Sequence, residues 1–403
     1  MLPRSEVGRH GRPRCCAAQR AQPETRPADS VFPRVLERID IADTNTGARE
    51  PPPRSRERPG KLAAFVRLGR PKFLVYSLLL YGLGAAVLVH EGRALDLGRF
   101  FQGLAFVWCA HLMTHYCNEY FDLAADAENT SPTRWTGGSR VLVEGHLPPV
   151  VSLGTAFVLL FGALALTLAM PVAAARWLAF LVLSLAWFYT APPLQLNYRG
   201  FGEITVATVL SLSVPLLAYA LQEGRLTASP VLLGAILPIF VVQVARMVVM
   251  NLSDCEGDAR AGKRTLAVVL GPRRATKAVA LGQVIAYGTL FVLVVMGTLP
   301  LAVGVPMLLT LPIAVWQVRR IGRGAIRNPR DANSVVFWAS THVALLAIAA
   351  TFGLLAQTSL TAPPSRLDAS LALCTAILVF VGALVARQIH RNGCAARRHA
   401  TVG

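Results

Sequence analysis

Apolar stretches long enough to cross a bilayer dominate this chain and limit the folds that it can adopt. Hydrophobic residues make up 54% of the sequence, and we count ten apolar segments near the length that a spanning helix needs. A backbone inside lipid must satisfy its polar groups internally, so such segments predict helices. The sequence therefore predicts an all-α, polytopic membrane helical bundle with nine to ten transmembrane helices. The ten segments lie at 73–90, 100–120, 150–170, 174–190, 202–221, 230–250, 277–297, 299–317, 334–357 and 368–387.

Basic residues between these segments predict the orientation of the bundle. They are concentrated before the first segment and in the loops after the second, sixth and eighth. With ten spans, all of these loops lie on the same side as both termini. The positive-inside rule then predicts a cell-membrane protein whose termini are cytoplasmic and whose site opens toward the cytoplasm. The net charge of +18 is interpreted as this topology signal plus a basic tail, and no nucleic-acid partner is expected.

Composition divides the chain into three predicted regions. Residues 1–60 are rich in Arg and Pro without a sustained apolar period, which predicts a disordered basic tail. That tail lacks the apolar core of a secretory signal peptide. Residues 61–360 form the predicted membrane domain, and 361–403 an additional transmembrane helix with a basic cytoplasmic tail. The seven cysteines include no Cys-x2-Cys pair, so neither a zinc site nor a disulfide framework is predicted.

Acidic side chains recur at the ends of two apolar segments, within 118–126 and 251–258. Carboxylates beside hydrocarbon are costly and therefore indicate function. Each set has two aspartates four residues apart, and Mg²⁺ binds carboxylate oxygens together with substrate phosphates. Ordinary interfacial residues are the alternative, but two sets with like spacing on one side favour a shared Mg²⁺ site. The predicted metal ligands are Asn118, Asp122, Asp126, Asn251, Asp254 and Asp258.

Polar residues also form a stripe along each of these two helices. Such a stripe predicts a face turned toward the bundle interior or a water-filled cavity. The histidine pair in the first stripe is interpreted as helix packing, and a haem-binding bundle is the alternative. Arg246 needs an anionic partner, either a substrate phosphate or a motif aspartate. The stripes consist of His111, His115, Asn118 and Asp122, and of Gln243, Arg246, Met250 and Asp254; Asp126 and Asp258 continue them one turn further.

The loops that follow the two acidic sets are typical of anion-binding segments. Gly137-Gly138-Ser139-Arg140 follows the first set and Gly262-Lys263-Arg264 the second. Glycine lets backbone amides approach a phosphate closely, and Arg and Lys supply the positive charge. Two tyrosines near the fourth segment contact the phosphate, stack beside a cation or anchor the helix at the interface. The predicted pyrophosphate-binding residues are Arg134, Arg140, Tyr189, Tyr198, Arg246, Lys263 and Arg264.

These motifs resemble those of a known membrane family. The stretch 118–126, Asn-Glu-Tyr-Phe-Asp-Leu-Ala-Ala-Asp, resembles the first aspartate motif of the UbiA superfamily of intramembrane prenyltransferases, and 254–266 resembles the second. Stretches 137–145, 189–203 and 262–271 are similar to the 1,4-dihydroxy-2-naphthoate branch, and Arg70-Pro71 fits the family's entry to the bundle. The resemblance covers about 62–357. Glu119 stands where many relatives have Asp, and a tenth helix exceeds the family's usual nine.

The resemblance implies a UbiA-like fold and a reaction. A polyprenyl group would pass, with Mg²⁺, from a polyprenyl diphosphate to an aromatic acceptor in the membrane lipid. The branch favours 1,4-dihydroxy-2-naphthoate in menaquinone biosynthesis, with 4-hydroxybenzoate or another phenol as alternatives. A polytopic transporter is the alternative from another class, although it does not account for basic, Gly-bearing loops after both motifs. The implied catalytic residues are Asp122, Asp126, Asp254 and Asp258.

Overall fold

The computed structural model describes residues 59–130, 132–227, 229–361 and 369–400. Within these ranges the regular structure is helical and no β-strand is present. The predicted tail at 1–60 lies outside them except for its last two residues. The helices are α1 (Lys61–Leu68), α2 (Leu74–His90), α3 (Leu97–Phe121), α4 (Leu123–Glu128), α5 (Pro149–Leu168), α6 (Ala173–Phe188), α7 (Gly202–Ala207), α8 (Val214–Glu223), α9 (Pro230–Arg260), α10 (Leu266–Val295), α11 (Leu301–Leu308), α12 (Leu311–Gly322), α13 (Pro329–Thr361) and α14 (Ala369–Ala400), with short 3₁₀ turns at Pro71–Phe73, Leu196–Tyr198 and Ala325–Arg327 and a π-helical turn at Thr208–Ser213.

The apolar segments fall on these helices, which confirms the all-α membrane bundle. Among the described residues, eight helices are long and apolar enough to cross a membrane. Two predicted segments are not among the eight. Helix α3 carries the first polar stripe, which makes it less apolar, and α6 is short, with 16 residues. The segment predicted at 299–317 is divided between α11 and α12.

Helix α9 extends well beyond its apolar segment and carries the whole second acidic set in helical register. Its start is fixed by Ser229, whose hydroxyl accepts a hydrogen bond from the Leu232 amide at 3.0 Å. At its other end Gly262 adopts a positive φ of 74°, and the Lys263 amide donates to the Asp258 carbonyl at 2.8 Å. This turn folds Lys263 back toward the end of α9.

The first acidic set lies on two helices rather than one. The sequence predicted a single stripe that continues to Asp126, but α3 ends at Phe121 and Asp122 separates it from α4. Helical hydrogen bonds nevertheless continue across this point, from the Asp122 amide to the Asn118 carbonyl at 2.8 Å and from the Asp126 amide to the Asp122 carbonyl at 2.9 Å, so Asp126 does lie one turn further along the stripe. The Arg140 guanidinium donates to the Asp126 carbonyl, and α4 packs against α9. Helical spacing alone gives no sign of such contacts.

Helix packing brings the two acidic sets together. Helix α3 packs on α5, α9 packs on α10 and α13, and α2 packs on α8 and α13. The interior of the bundle is formed by buried aliphatic and aromatic side chains such as Tyr81, Phe100, Phe106 and Leu217. Because α4 contacts α9, the C-terminal ends of α3 and α9 face the same interior space. These are the ends that the sequence predicts to be cytoplasmic.

Candidate active site

A cavity of about 210 Å³ lies inside the bundle, and both polar stripes line it. This confirms that each stripe faces the interior. One part of the wall is apolar and includes Leu80, Val107, Val209 and Val343. The predicted site residues that line the cavity are Asn118, Asp122, Asp126, Tyr189, Arg246, Asn251, Asp254, Asp258 and Lys263.

Asp122 is the most extensively hydrogen-bonded carboxylate of the cavity. It is 5% exposed and accepts hydrogen bonds from Asn118 Nδ2 at 2.7 Å and from Lys263 Nζ at 2.9 Å. Asn197 Nδ2 approaches its other oxygen at 3.4 Å. The predicted partner Asn118 therefore lies one helical turn from Asp122 and holds its carboxylate in place.

Lys263 connects the two acidic sets. Its ammonium lies 2.9 Å from Asp122 Oδ2 and 3.6 Å from Asp258 Oδ1, so one cation joins a carboxylate from each motif. Burial lowers the pKa of Lys263, but the negative charges of Asp122 and Asp258 raise it by more. The pKa of Lys263 therefore lies well above its ordinary value. Lys263 is therefore a fixed positive charge between the motifs.

The remaining acids of the cavity are less well compensated. Asp254 accepts from Asn129 Nδ2 at 3.0 Å and from Ser253 Oγ at 3.3 Å. Oxygen Oδ2 of Asp258 is buried and has no hydrogen-bond partner within the described part of the chain. Burial, followed by the charge of Asp122, raises the pKa of Asp126 to about 8. Additional positive charge would stabilise this group of carboxylates.

The glycine-rich loop after the first motif lies directly against Asp126. Gly137 and Gly138 line the cavity with positive φ angles of 76° and 75°. A Cβ atom on Gly138 would clash with the Asp126 carboxylate, so only glycine allows this approach. The loop therefore brings its backbone next to the acidic residues, as an anion-binding segment requires.

Glu119 anchors this loop to the start of the bundle, a role that sequence reasoning missed. The carboxylate forms an ion pair with Arg70 and accepts hydrogen bonds from the Ser139 amide at 2.7 Å and the Ser139 hydroxyl at 2.6 Å. Both oxygens of the Glu119 carboxylate are therefore engaged in holding the loop. The sequence signal was the unusual acid at this position of the first motif.

Four predicted residues do not line the cavity. Arg134 and Arg264 are exposed, and Arg140 donates to the Asp126 carbonyl. Tyr198 lies beside the cavity, with Lys263 Nζ 5.6 Å from its ring centre. Their role in pyrophosphate binding stays a prediction. Conversely, Arg70 and Asn129 line the cavity although the predicted site did not include them.

Asn251 lines the cavity, but its amide is already engaged. Its Nδ2 donates to Glu203 Oε1 at 2.8 Å, and the same oxygen accepts from the Leu266 amide at 2.9 Å. Glu203 is fully buried. Asn251 thus connects α9 to the start of α10 through Glu203. Its amide donates through nitrogen, as that of Asn118 does, so the side-chain oxygen is the atom of each that could bind a metal.

The histidine pair packs within the bundle. His111 Nδ1 lies 3.0 Å from Ser77 Oγ, and the rings of His111 and His115 stack with their centres 4.8 Å apart. Phe73 contacts His115 on its other side, 5.5 Å between ring centres. These contacts agree with the helix-packing interpretation.

Oxygen donors of the cavity fit a hard divalent cation. Within the described ranges no three His, Cys, Asp or Glu side chains converge closely enough to form a complete metal cluster. Carboxylate and amide oxygens from two helix ends are nevertheless the ligand type that Mg²⁺ prefers, and Mg²⁺ is usually completed by substrate phosphates and water. The unpartnered Asp258 oxygen agrees with a ligand set that is completed by a substrate.

The bundle encloses a cavity that combines a group of carboxylates with a region of apolar wall. Such a cavity fits an intramembrane enzyme for lipid-like substrates. Comparison with known proteins makes this specific. The model of the UbiA prenyltransferase family matches residues 78–341, and the chain belongs to that family. It is therefore a multi-pass membrane prenyltransferase, which displaces the transporter and haem-bundle alternatives.

Individual relatives agree with this assignment. A 1,4-dihydroxy-2-naphthoate octaprenyltransferase of Bacillus subtilis is 25% identical over 68% of this chain and 86% of its own length. A digeranylgeranylglyceryl phosphate synthase of Thermococcus gammatolerans is 30% identical over 53% of this chain and 72% of its own length. A solved UbiA homologue of Archaeoglobus fulgidus, bound to DMAPP and Mg²⁺, has a TM-score of 0.50, 16% identity and coverage of 80% of this chain and 98% of its own. That structural likeness shows the fold alone.

Proposed function

We propose that this protein transfers a polyprenyl group from its diphosphate to an aromatic acceptor, with Mg²⁺, and that the acceptor is 1,4-dihydroxy-2-naphthoate. One observation carries the proposal: carboxylates from both acidic motifs meet, through Lys263, in a cavity that also has a region of apolar wall. A prenyl diphosphate has the same division into a charged head and an apolar tail. The Bacillus subtilis relative supports the choice of acceptor.

Mg²⁺ would be held by the oxygen donors of the two motifs. When bound, it neutralises the charge of the pyrophosphate leaving group. Asp122 and Asp258 already face one cation, Lys263, so their oxygens are arranged to share positive charge between motifs. The residues that would hold the metal are Asn118, Asp122, Asp126, Asn251, Asp254 and Asp258.

The residues of the chain bind and stabilise the diphosphate. Lys263 supplies a permanent charge at the junction of the motifs, and the backbone of Gly137 and Gly138 lies open to a phosphate oxygen. Arg70, tied to Glu119, contributes charge from the other side of the cavity. Arg134, Arg140 and Arg264 do not line the cavity and would act at longer range as the pyrophosphate leaves.

The apolar part of the cavity protects the reacting carbon. Loss of pyrophosphate leaves an allylic cation, which water would capture. Leu80, Val107 and Val343 exclude water from this region, and the ring of Tyr189 lies on the cavity wall where it can face positive charge. The electron-rich ring carbon of the acceptor then forms the new carbon–carbon bond to the cation and loses its proton to water, which restores the aromatic ring. The prenylated product leaves into lipid.

The orientation that the basic loops predict belongs to this proposal. With both termini cytoplasmic, the acidic end of the cavity opens toward the cytoplasm, where a water-soluble aromatic acid and Mg²⁺ are available. Cysteine accessibility on the two sides of sealed vesicles tests this orientation. Labelling of a cysteine placed at exposed Arg264 from the outside of right-side-out vesicles would contradict it.

The proposed reaction is tested with purified protein, Mg²⁺, several prenyl diphosphates and a panel of acceptors. We expect Mg²⁺-dependent transfer to 1,4-dihydroxy-2-naphthoate. Transfer to 4-hydroxybenzoate alone would overturn the choice of acceptor, and transfer to a glycerol phosphate lipid precursor would point to the reaction named for the archaeal relative. No release of pyrophosphate with any acceptor would reject prenyl transfer itself.

A further inference from the structure

Arg246 lies deep in the bundle, and its charge has no carboxylate partner among the residues that the structure describes. The residue is 8% exposed. Its Nε donates to Ser340 Oγ at 3.0 Å, its Nη1 approaches Met247 Sδ at 3.6 Å, and its guanidinium lies 5.7 Å from the ring centre of Tyr76. All three neighbours are neutral, and within the described ranges Arg246 forms no ion pair. The motif aspartates, one of the two partners that the sequence left open, are therefore not its partners.

A buried guanidinium of this kind needs an anion from elsewhere. Removing a charge from water costs several kcal/mol unless a counter-charge is present, and in a membrane helix such residues face a cavity and mark substrate sites. Arg246 lines the cavity. Its missing partner can therefore come from a ligand in that cavity.

The position of Arg246 separates it from the diphosphate site. It precedes Asp254 by eight residues on the continuous helix α9, which corresponds to about 12 Å along the axis at 1.5 Å per residue. Side chains of a helix also point toward its N-terminus, so Arg246 extends away from Asp254. Within the described ranges Arg246 forms no ion pair with Asp122, Asp254 or Asp258, so the group that would hold the diphosphate and Arg246 are separate features of the cavity.

The groups around Arg246 fit a small aromatic ligand. Tyr76, His111 and Gln243 line the same cavity and offer rings and hydrogen-bonding groups. A guanidinium pairs with a carboxylate through two parallel hydrogen bonds, which fixes both position and orientation. We propose that Arg246 is a specificity-determining residue that binds the carboxylate of the aromatic acceptor, so that the protein selects aromatic carboxylic acids. This inference rests on the proposed function and names the part of the acceptor that is recognised.

The experiment compares two ligands that differ only in the carboxylate: 1,4-dihydroxy-2-naphthoate and 1,4-dihydroxynaphthalene. Equilibrium binding of each is measured on the purified full chain, together with KM and kcat for transfer. Arg246→Gln should weaken naphthoate binding by about ten- to a hundredfold, the loss of a charge-assisted hydrogen-bonded pair. Binding of the diol should hardly change, and Arg246→Lys should give an intermediate loss. The exposed Arg274, substituted in the same way, is the control.

Two results would overturn the inference. Equal losses of binding for both ligands would indicate a structural role of Arg246. A raised KM for the prenyl diphosphate with an unchanged acceptor preference would indicate a phosphate contact. If Arg246→Gln does not fold, as judged by thermal unfolding, Arg246→Lys and Ser340→Ala supply the comparison. Failure of the wild-type protein to transfer any prenyl group would reject the proposed function, whereas the binding preference would still decide the role of Arg246.

Discussion

The two ends of the cavity differ in how their charges are balanced. At the acidic end, which we define as Asp122, Asp126, Asp254, Asp258 and Lys263, carboxylates outnumber the cation that joins them. At the deep end, defined as Tyr76, His111, Gln243 and Arg246, the contacts of the cation within the described part of the chain are all with neutral groups. The first end lacks positive charge and the second lacks negative charge. A metal–diphosphate complex and an anionic acceptor supply what each end lacks.

The largest effect is expected at the acidic end. Asp122→Asn removes a charged oxygen donor but keeps the size of the side chain, and we expect kcat/KM to fall by about 10³-fold with every acceptor. Arg246→Gln, in contrast, should spare acceptors without a carboxylate. Pyrophosphate release at saturating Mg²⁺ measures both. The matched control is Asp331→Asn, because Asp331 pairs with Arg320 away from the cavity. Full activity of Asp122→Asn would remove the acidic end from the reaction.

A smaller loss is expected when the connecting cation is removed. Lys263→Met should raise the KM for the prenyl diphosphate and lower kcat, together by about 10²-fold, because Asp122 and Asp258 are left without their shared charge. Lys277→Met is the control, since Lys277 is exposed on α10 and does not line the cavity. Steady-state kinetics at varied prenyl diphosphate concentration measures both variants. Equal effects of the two would mean that only the overall charge of the protein matters.

The smallest effect in this series concerns the glycine-rich loop. Gly138→Ala places a methyl group against the Asp126 carboxylate and should lower activity by about tenfold, with a loss of roughly 1–3 kcal/mol in unfolding free energy. Gly145→Ala is a close control, because Gly145 also has a positive φ, 69°, but open space around it. Both variants should lose stability from backbone strain, and only Gly138→Ala should lose activity. If Gly145→Ala loses as much activity, contact with Asp126 is not the cause.

Much of the fold could be predicted from the sequence because long apolar segments identify helices that span a membrane. The segments at 73–90 and 334–357 correspond closely to α2 and α13. Helix ends were predicted less well. Helix α9 runs ten residues past its apolar segment to Arg260, since polar residues can continue a helix once it leaves lipid. The end of α3 at Phe121 was not predicted, and neither were the contacts of α4 with Arg140 and α9, which local sequence does not reveal.

The candidate site was predictable to a similar extent. Spacing identified the aspartates because a helix places residues i and i+4 on one face, and the basic, glycine-bearing loop after the second motif identified Lys263. Spacing could not show that Arg140 would bind a carbonyl or that Asn251 would bind Glu203, because these depend on how loops and helices meet. For Arg246, the structure excludes the motif aspartates as partners within the described ranges.

The central claim is that the two aspartate motifs act as one metal–pyrophosphate site. Its most direct test is the Mg²⁺-dependent affinity for an unreactive prenyl diphosphate analogue, measured for Asp122→Asn, Asp258→Asn and the double variant. Groups that act as a unit are strongly non-additive, so we predict that each single substitution abolishes most of the Mg²⁺-dependent affinity and that the double variant is little worse. Losses that multiply in the double variant would show two independent sites and would contradict the account.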